Sequence, residues 1–133
     1  MGSKKSWRQK LADSNSQFVI QKHSKPNSTH WDLMLRSGNC LKTYRINLEP
    51  EKLLHECAEA ENISDHDLKF LTYEGPLTND KGTVEIADQG SYTITNSDET
   101  EIKLHFDGKI LKGDFSLKHV KTNKWLFESI FLI

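Results

Sequence analysis

Apolar and polar positions alternate with a period of two along most of the chain, in short stretches broken by turn formers. FVIQKH (residues 18–23) is apolar and β-branched, SKPNST supplies turn residues, and HWDLMLR (residues 30–36) alternates. RSGNC turns again and CLKTYRI extends. Further strand-like stretches are LKFLTYE, GTVEIAD, SYTITN, EIKLHFD, KILKGDFSLKHV and KWLFESIFLI, with DQG, NSDE, FDGK and KTNK as turns between them. A helix is predicted from Pro50 to Ala60: proline suits its first position, Glu51 its positive end, and Leu53, Leu54, Cys57 and Ala58 form one stripe. Trp7 and Leu11, four apart, mark weak helical turns over residues 5–12. Many short strands at regular spacing predict an all-β fold, a small closed or nearly closed β-barrel with one or two short flanking helices. Closure also removes exposed strand edges. The expected division is a flexible segment over residues 1–16 and one barrel domain over 17–133.

Length and composition agree with that picture. The chain has 133 residues, enough for one domain with a real core. Charged residues make up 28% and the formal net charge is −1, so composition alone does not mark a nucleic-acid binder. Any anion site must come from local clustering of Lys and Arg. No apolar run is long enough to cross a membrane, and the start lacks the apolar centre of a secretory signal. MGSKKS fits the loose myristoylation pattern, with a flexible polar start as the alternative. Cys40 and Cys57 have no metal-type spacing and are expected as reduced thiols in a cytoplasmic, monomeric protein.

Candidate chemistry gathers in residues 21–35, QKHSKPNSTHWDLML. On a strand, Trp31, Leu33 and Leu35 share one face, while His30, Asp32, Met34 and Arg36 share the other. Positions two apart lie about 6.5 Å apart, so His30 and Asp32 can lean onto one divalent ion. If SKPNST closes a hairpin, His23 returns beside His30. Such a His/carboxylate set suits Mn²⁺ or Zn²⁺ better than Ca²⁺. The alternative is a solvated polar face. Among the other histidines, His55 and His119 read as surface and His105 as a satisfied structural group. Trp31, Tyr73, Trp125 and Phe127 read as core.

The serial motifs FVIQKH, HWDLMLR, SGNCLKTY, DHDLKFLTYEG, GTVEIADQGSY, LKGDFSL and KWLFESI resemble, in order and over about residues 17–130, the 3′-phosphoesterase domain of bacterial DNA ligase D. The resemblance implies a compact β-barrel with flanking helices and a Mn²⁺-dependent site that trims nucleic-acid 3′ ends. It implies removal of a 3′-phosphate or a 3′-ribonucleotide in DNA repair. It places the metal ligands at His23, His30 and Asp32, and a phosphate-contacting or proton-donating histidine at His66. No ligase or polymerase module lies in this chain, so those activities are expected from separate proteins. Three departures stand out. Met34 replaces an arginine, Phe70 a tyrosine and Leu48 a lysine of the family pattern. Arg36, Lys42 and Arg45 are the candidates to supply the missing grip on phosphate, with Lys22 and Lys25 nearby and Lys109, Lys112, Lys118, Lys121 and Lys124 as a second basic group. Those departures leave open a catalytically degenerate module that binds nucleic-acid ends or a partner, and a phosphoesterase for another ester.

Overall fold

A computed structural model describes residues 17–130. The expected helical turns over residues 5–12 and the segment 1–16 lie outside the described residues. The strands in chain order are β1 (Gln17–Lys25), β2 (Ser28–Ser37), β3 (Cys40–Ile46), β4 (Ala58–His66), β5 (Gly75–Pro76), β6 (Thr83–Ser97), β7 (Glu101–Gly108), β8 (Lys112–Lys121) and β9 (Lys124–Ser129). A helix α1 (Pro50–Leu53) and a 3₁₀ turn (Leu68–Leu71) complete the set.

The sheet runs β1-β2-β3-β4-β9-β8-β7-β6, and β6 pairs back onto β1, so eight antiparallel strands close a barrel. The two-residue β5 adds to the margin of β6. The expected all-β barrel is therefore present. Its interior takes every second residue: Phe18 and Ile20, Leu33 and Leu35, Tyr44 and Ile46, Leu104 and Phe106, Phe115 and Leu117. Phe115 and Phe127 stack at 5.1 Å between centroids, and Phe18 meets Phe106 edge-on at 4.9 Å.

The outer wall carries a second, smaller apolar cluster. Val19, Met34 and Leu41 are buried there under Leu68, Phe70 and Leu71 of the 3₁₀ turn. This cover places a polar pocket on the outside of the barrel rather than in its lumen.

Three elements differ from the sequence pattern. The predicted helix over Pro50–Ala60 stops at Leu53. Ala58 and Ala60 are buried with Glu59 exposed between them, a period of two that belongs to β4. That strand bonds β3 on one side and β9 on the other, and the ladder it completes outweighs a short stripe with helical spacing. LKFLTYE is no strand either. The Asp67 carboxylate accepts from Lys69 N at 2.9 Å and caps the 3₁₀ turn. Finally, DQG is not a turn: β6 runs through it, with its register against β1 shifting at Ile20/Gln21. Gly90 sits where a side chain would strike the Asp107 carbonyl of β7.

Candidate metal centre

A short turn at Pro26–Asn27 joins β1 to β2, which makes His23 and His30 direct cross-strand partners and sets Asp32 opposite Gln21. These side chains point out of the barrel. His23, His30 and Asp32 each offer a ligand atom within 4.8 Å of the others, and no other group of three His, Cys, Asp or Glu among the described residues converges in this way. His23 Nδ1 lies 3.1 Å from His30 Nε2, and His30 Nε2 lies 3.4 Å from Asp32 Oδ2. Asp32 and His23 are buried, and His30 is partly so.

The His23 ring is oriented from behind. Its Nε2 is 2.5 Å from the Lys81 carbonyl, which can only accept, so Nε2 carries the hydrogen and Nδ1 presents its lone pair. Lys81 belongs to a tight loop in which Asn79, Asp80 and Gly82 have positive φ. A side chain at Gly82 would press on the Ser24 carbonyl and on His23 Nε2, so the close approach of this loop requires glycine.

The pocket beside the cluster has a volume of about 420 Å³. Gln21, His23, Asp32, Arg45 and His66 line its polar side, Met34, Phe70, Leu77 and Val84 its apolar wall, and Lys25 and Lys81 its rim. His66 ends β4. Its Nδ1 is 3.0 Å from the Ser64 carbonyl and 3.1 Å from the Thr43 hydroxyl, which itself donates to the Leu41 carbonyl. Nδ1 is thus the donor, and Nε2 is left for a ligand. Phe70 packs edge-on against the His66 ring at 5.7 Å. Gln21 ties this cover to the wall, donating from Nε2 to the carbonyls of Phe70 and Tyr73, both at 2.9 Å. Glu74 fastens its far end by accepting from Ile86 N at 2.8 Å.

The basic candidates separate. Arg45 lies in register with Asp32, and its Nε is 3.6 Å from Asp32 Oδ1. That spacing is too long for a hydrogen bond, and these two atoms are the buried side-chain polar atoms without a hydrogen-bond partner among the described residues. Arg36 shares the outer face but does not line the pocket; it donates to Gln17 Oε1 at 2.9 Å. Lys42 stands opposite the inward-facing Leu35, on the other side of the sheet from Arg45, and pairs with Asp65 at 3.7 Å. Leu48 packs at the margin of the barrel core. Gln21, Thr43, Leu77 and the Lys81 carbonyl were not singled out by sequence. Gln21 and Thr43 each lie two residues before a site residue, His23 and Arg45, so alternation could have found them. A backbone carbonyl leaves no side-chain signal.

The remaining aromatic and histidine expectations hold in part. Phe127 is buried in the core, Trp31 and Trp125 pack against it, and Tyr73 is half-buried outside it. His55 and His119 are exposed, and His105 is held by Asp114 at 2.9 Å.

No helix among the described residues is long and apolar enough to cross a membrane. No curated protein matches the chain. Residues 21–119, which carry the histidine pair, Asp32, Arg45 and His66, match the DNA Ligase D 3′-phosphoesterase domain, and the chain belongs to that family.

Proposed function

We propose that this protein is a divalent-metal-dependent phosphoesterase acting on nucleic-acid 3′ ends, removing a 3′-phosphate or a 3′-ribonucleotide in DNA repair. The observation that carries this reading is the meeting of His23, His30 and Asp32 within 4.8 Å at the wall of a pocket that also holds His66. The donor set fits an ion. Two imidazole nitrogens and a carboxylate suit Mn²⁺ or Zn²⁺, of which the family resemblance favours Mn²⁺, and Asp32 keeps a buried oxygen without a hydrogen-bond donor. When bound, the ion supplies Lewis acidity toward a phosphoryl oxygen and lowers the pKa of a bound water.

The chain's own groups do the rest. The Lys81 carbonyl holds His23 with Nδ1 facing the cluster. Ser64 and Thr43 hold His66 so that Nε2, when protonated, donates to the phosphate or to the departing oxygen. Lys25 and Lys81 at the rim draw in a polyanion through salt-dependent contacts. The Met34, Phe70, Leu77 and Val84 wall excludes water from the far side.

That apolar wall also favours a second reading, hydrolysis of another phosphate ester whose leaving group carries an apolar face. A 5′-labelled primer–template ending in a 3′-phosphate or one 3′-ribonucleotide separates the two. The expected result is end trimming with Mn²⁺ that disappears with EDTA and with Asp32→Ala. A folded, Mn²⁺-binding protein that leaves both ends intact would remove the 3′-end assignment in favour of another ester or a non-catalytic binding module.

A further inference from the structure

We infer that Arg45 is the residue that grips the substrate's phosphate at this centre. The inference rests on the phosphoesterase reading and names a binding role within it.

The pocket contains two buried orphans of opposite character side by side. Asp32 Oδ1 is an acceptor without a donor, and Arg45 Nε is a donor without an acceptor. At 3.6 Å the two attract each other but do not bond. Leaving a buried polar atom unsatisfied is costly. This holds for the Asp32 carboxylate, which is buried, and at Arg45 for Nε alone, since that side chain is 42% exposed and can present its outer nitrogens to a ligand. A cation completes Asp32 and an oxyanion completes Arg45. A metal-bound phosphate satisfies both orphans at once.

The neighbours leave this task to Arg45. Glu61 stands opposite Arg45 on β4, but Lys124 pairs with it at 3.6 Å. Met34 and Phe70 offer no donor. Lys25 and Lys81 are exposed at the rim, while Arg36 and Lys42 point their charges elsewhere. Arg45 alone among the described arginines lines the pocket, and its planar fork matches tetrahedral oxyanions in a way that a lysine point charge does not.

The test uses inorganic phosphate as the probe. Binding of Mn²⁺, and then of phosphate to the Mn²⁺-loaded protein, is measured by calorimetry for the wild type, Arg45→Met, Arg45→Lys and a control, Arg36→Met, each checked for folding by circular dichroism. Arg45→Met is expected to bind Mn²⁺ and to weaken phosphate about tenfold or more. Arg45→Lys is expected to fall between, and Arg36→Met to match the wild type. If Arg45→Met does not fold, Arg45→Lys decides, since it keeps the charge beside Asp32. Phosphate affinity within twofold of wild type in the folded Arg45 variants overturns the inference, as does a Mn²⁺-loaded wild type that binds no phosphate. Either result leaves 3′-end trimming to be judged by its own assay. Conversely, phosphate binding that depends on Arg45 in a protein that trims no 3′ end keeps the anion site and removes the proposed reaction.

Discussion

His23 and His30 face each other across the β1–β2 hairpin with Nδ1 and Nε2 3.1 Å apart. The Lys81 carbonyl fixes the hydrogen of His23 on Nε2, so the hydrogen between the two rings belongs to His30 Nε2. That hydrogen occupies the space between the ligand atoms. A divalent ion taken by both rings requires His30 to carry its hydrogen on Nδ1 instead, a tautomer switch that keeps the ring neutral and the proton count unchanged. Nitrogen-15 spectra of the metal-free protein are expected to show His23 Nδ1 as an unprotonated ring nitrogen. On Mn²⁺ binding, the His30 signals are expected to change from the Nε2–H to the Nδ1–H tautomer. A protonated His23 Nδ1 in the neutral ring would contradict this arrangement.

Asp32 contributes the one negative charge of the cluster and is buried. Asp32→Ala is expected to reduce Mn²⁺ affinity by about 100-fold, whereas Glu85→Ala, an exposed acid paired only with Lys22 at 3.8 Å, should leave it unchanged. Titration of both variants by calorimetry checks the contrast. Equal effects would mean that Asp32 acts through general charge rather than as a ligand.

How much of this was legible follows from strand periodicity. The alternation in HWDLMLR separated Trp31, Leu33 and Leu35 from His30, Asp32 and Met34, and the barrel places these sets inside and outside. The turn formers around Pro26 returned His23 to His30. The same alternation in CLKTYRI separates Lys42 from Arg45, but flanking position in sequence could not say which of the two faces the pocket. β4 was obscured because Leu53, Leu54, Cys57 and Ala58 have helical spacing, although Ala58 and Ala60 obey the strand period. The 3₁₀ cover was hidden because Leu68, Phe70 and Leu71 read equally as strand residues. Their partners Val19 and Met34 lie far away in sequence.

Gln21 links two such distant parts. One side-chain amide donates to the carbonyls of Phe70 and Tyr73, holding the cover beside His66. Gln21→Leu removes both bonds and leaves two carbonyls to find other donors. The expected result is faster amide exchange over residues 66–74, with Mn²⁺ affinity changed little because no ligand is lost. Unaltered exchange there would show that the apolar cluster under the 3₁₀ turn suffices to hold it.

Asp88 stabilises the connection between β7 and β8. Its buried carboxylate accepts from Lys109 N, Ile110 N and Leu111 N at 2.9, 3.1 and 2.8 Å, and so pins the turn between β7 and β8. Asp88→Ala strands these donors and is expected to cost about 3 kcal/mol, read from denaturant unfolding with an unchanged m-value. A loss below about 0.5 kcal/mol would mean that water replaces the carboxylate at no cost.

The two cysteines should differ in reactivity. A hydrogen bond from Cys40 Sγ to the Asp65 carboxylate at 3.3 Å stabilises the thiol and pushes its pKa up, with burial and the charge of Asp65 acting in the same direction against the weaker opposite pull of Lys42. A raised pKa lowers the fraction of reactive thiolate at every pH below it. Cys57 is exposed in the loop after α1. At pH 8, iodoacetamide is expected to label Cys57 first, as mapped by peptide mass spectrometry. Asp65→Asn removes the negative charge that disfavours the thiolate, so it should speed labelling of Cys40 and leave Cys57 unchanged. Faster labelling of Cys40 than of Cys57 in the wild type would show that the Lys42 charge, not the Asp65 carboxylate, governs this thiol.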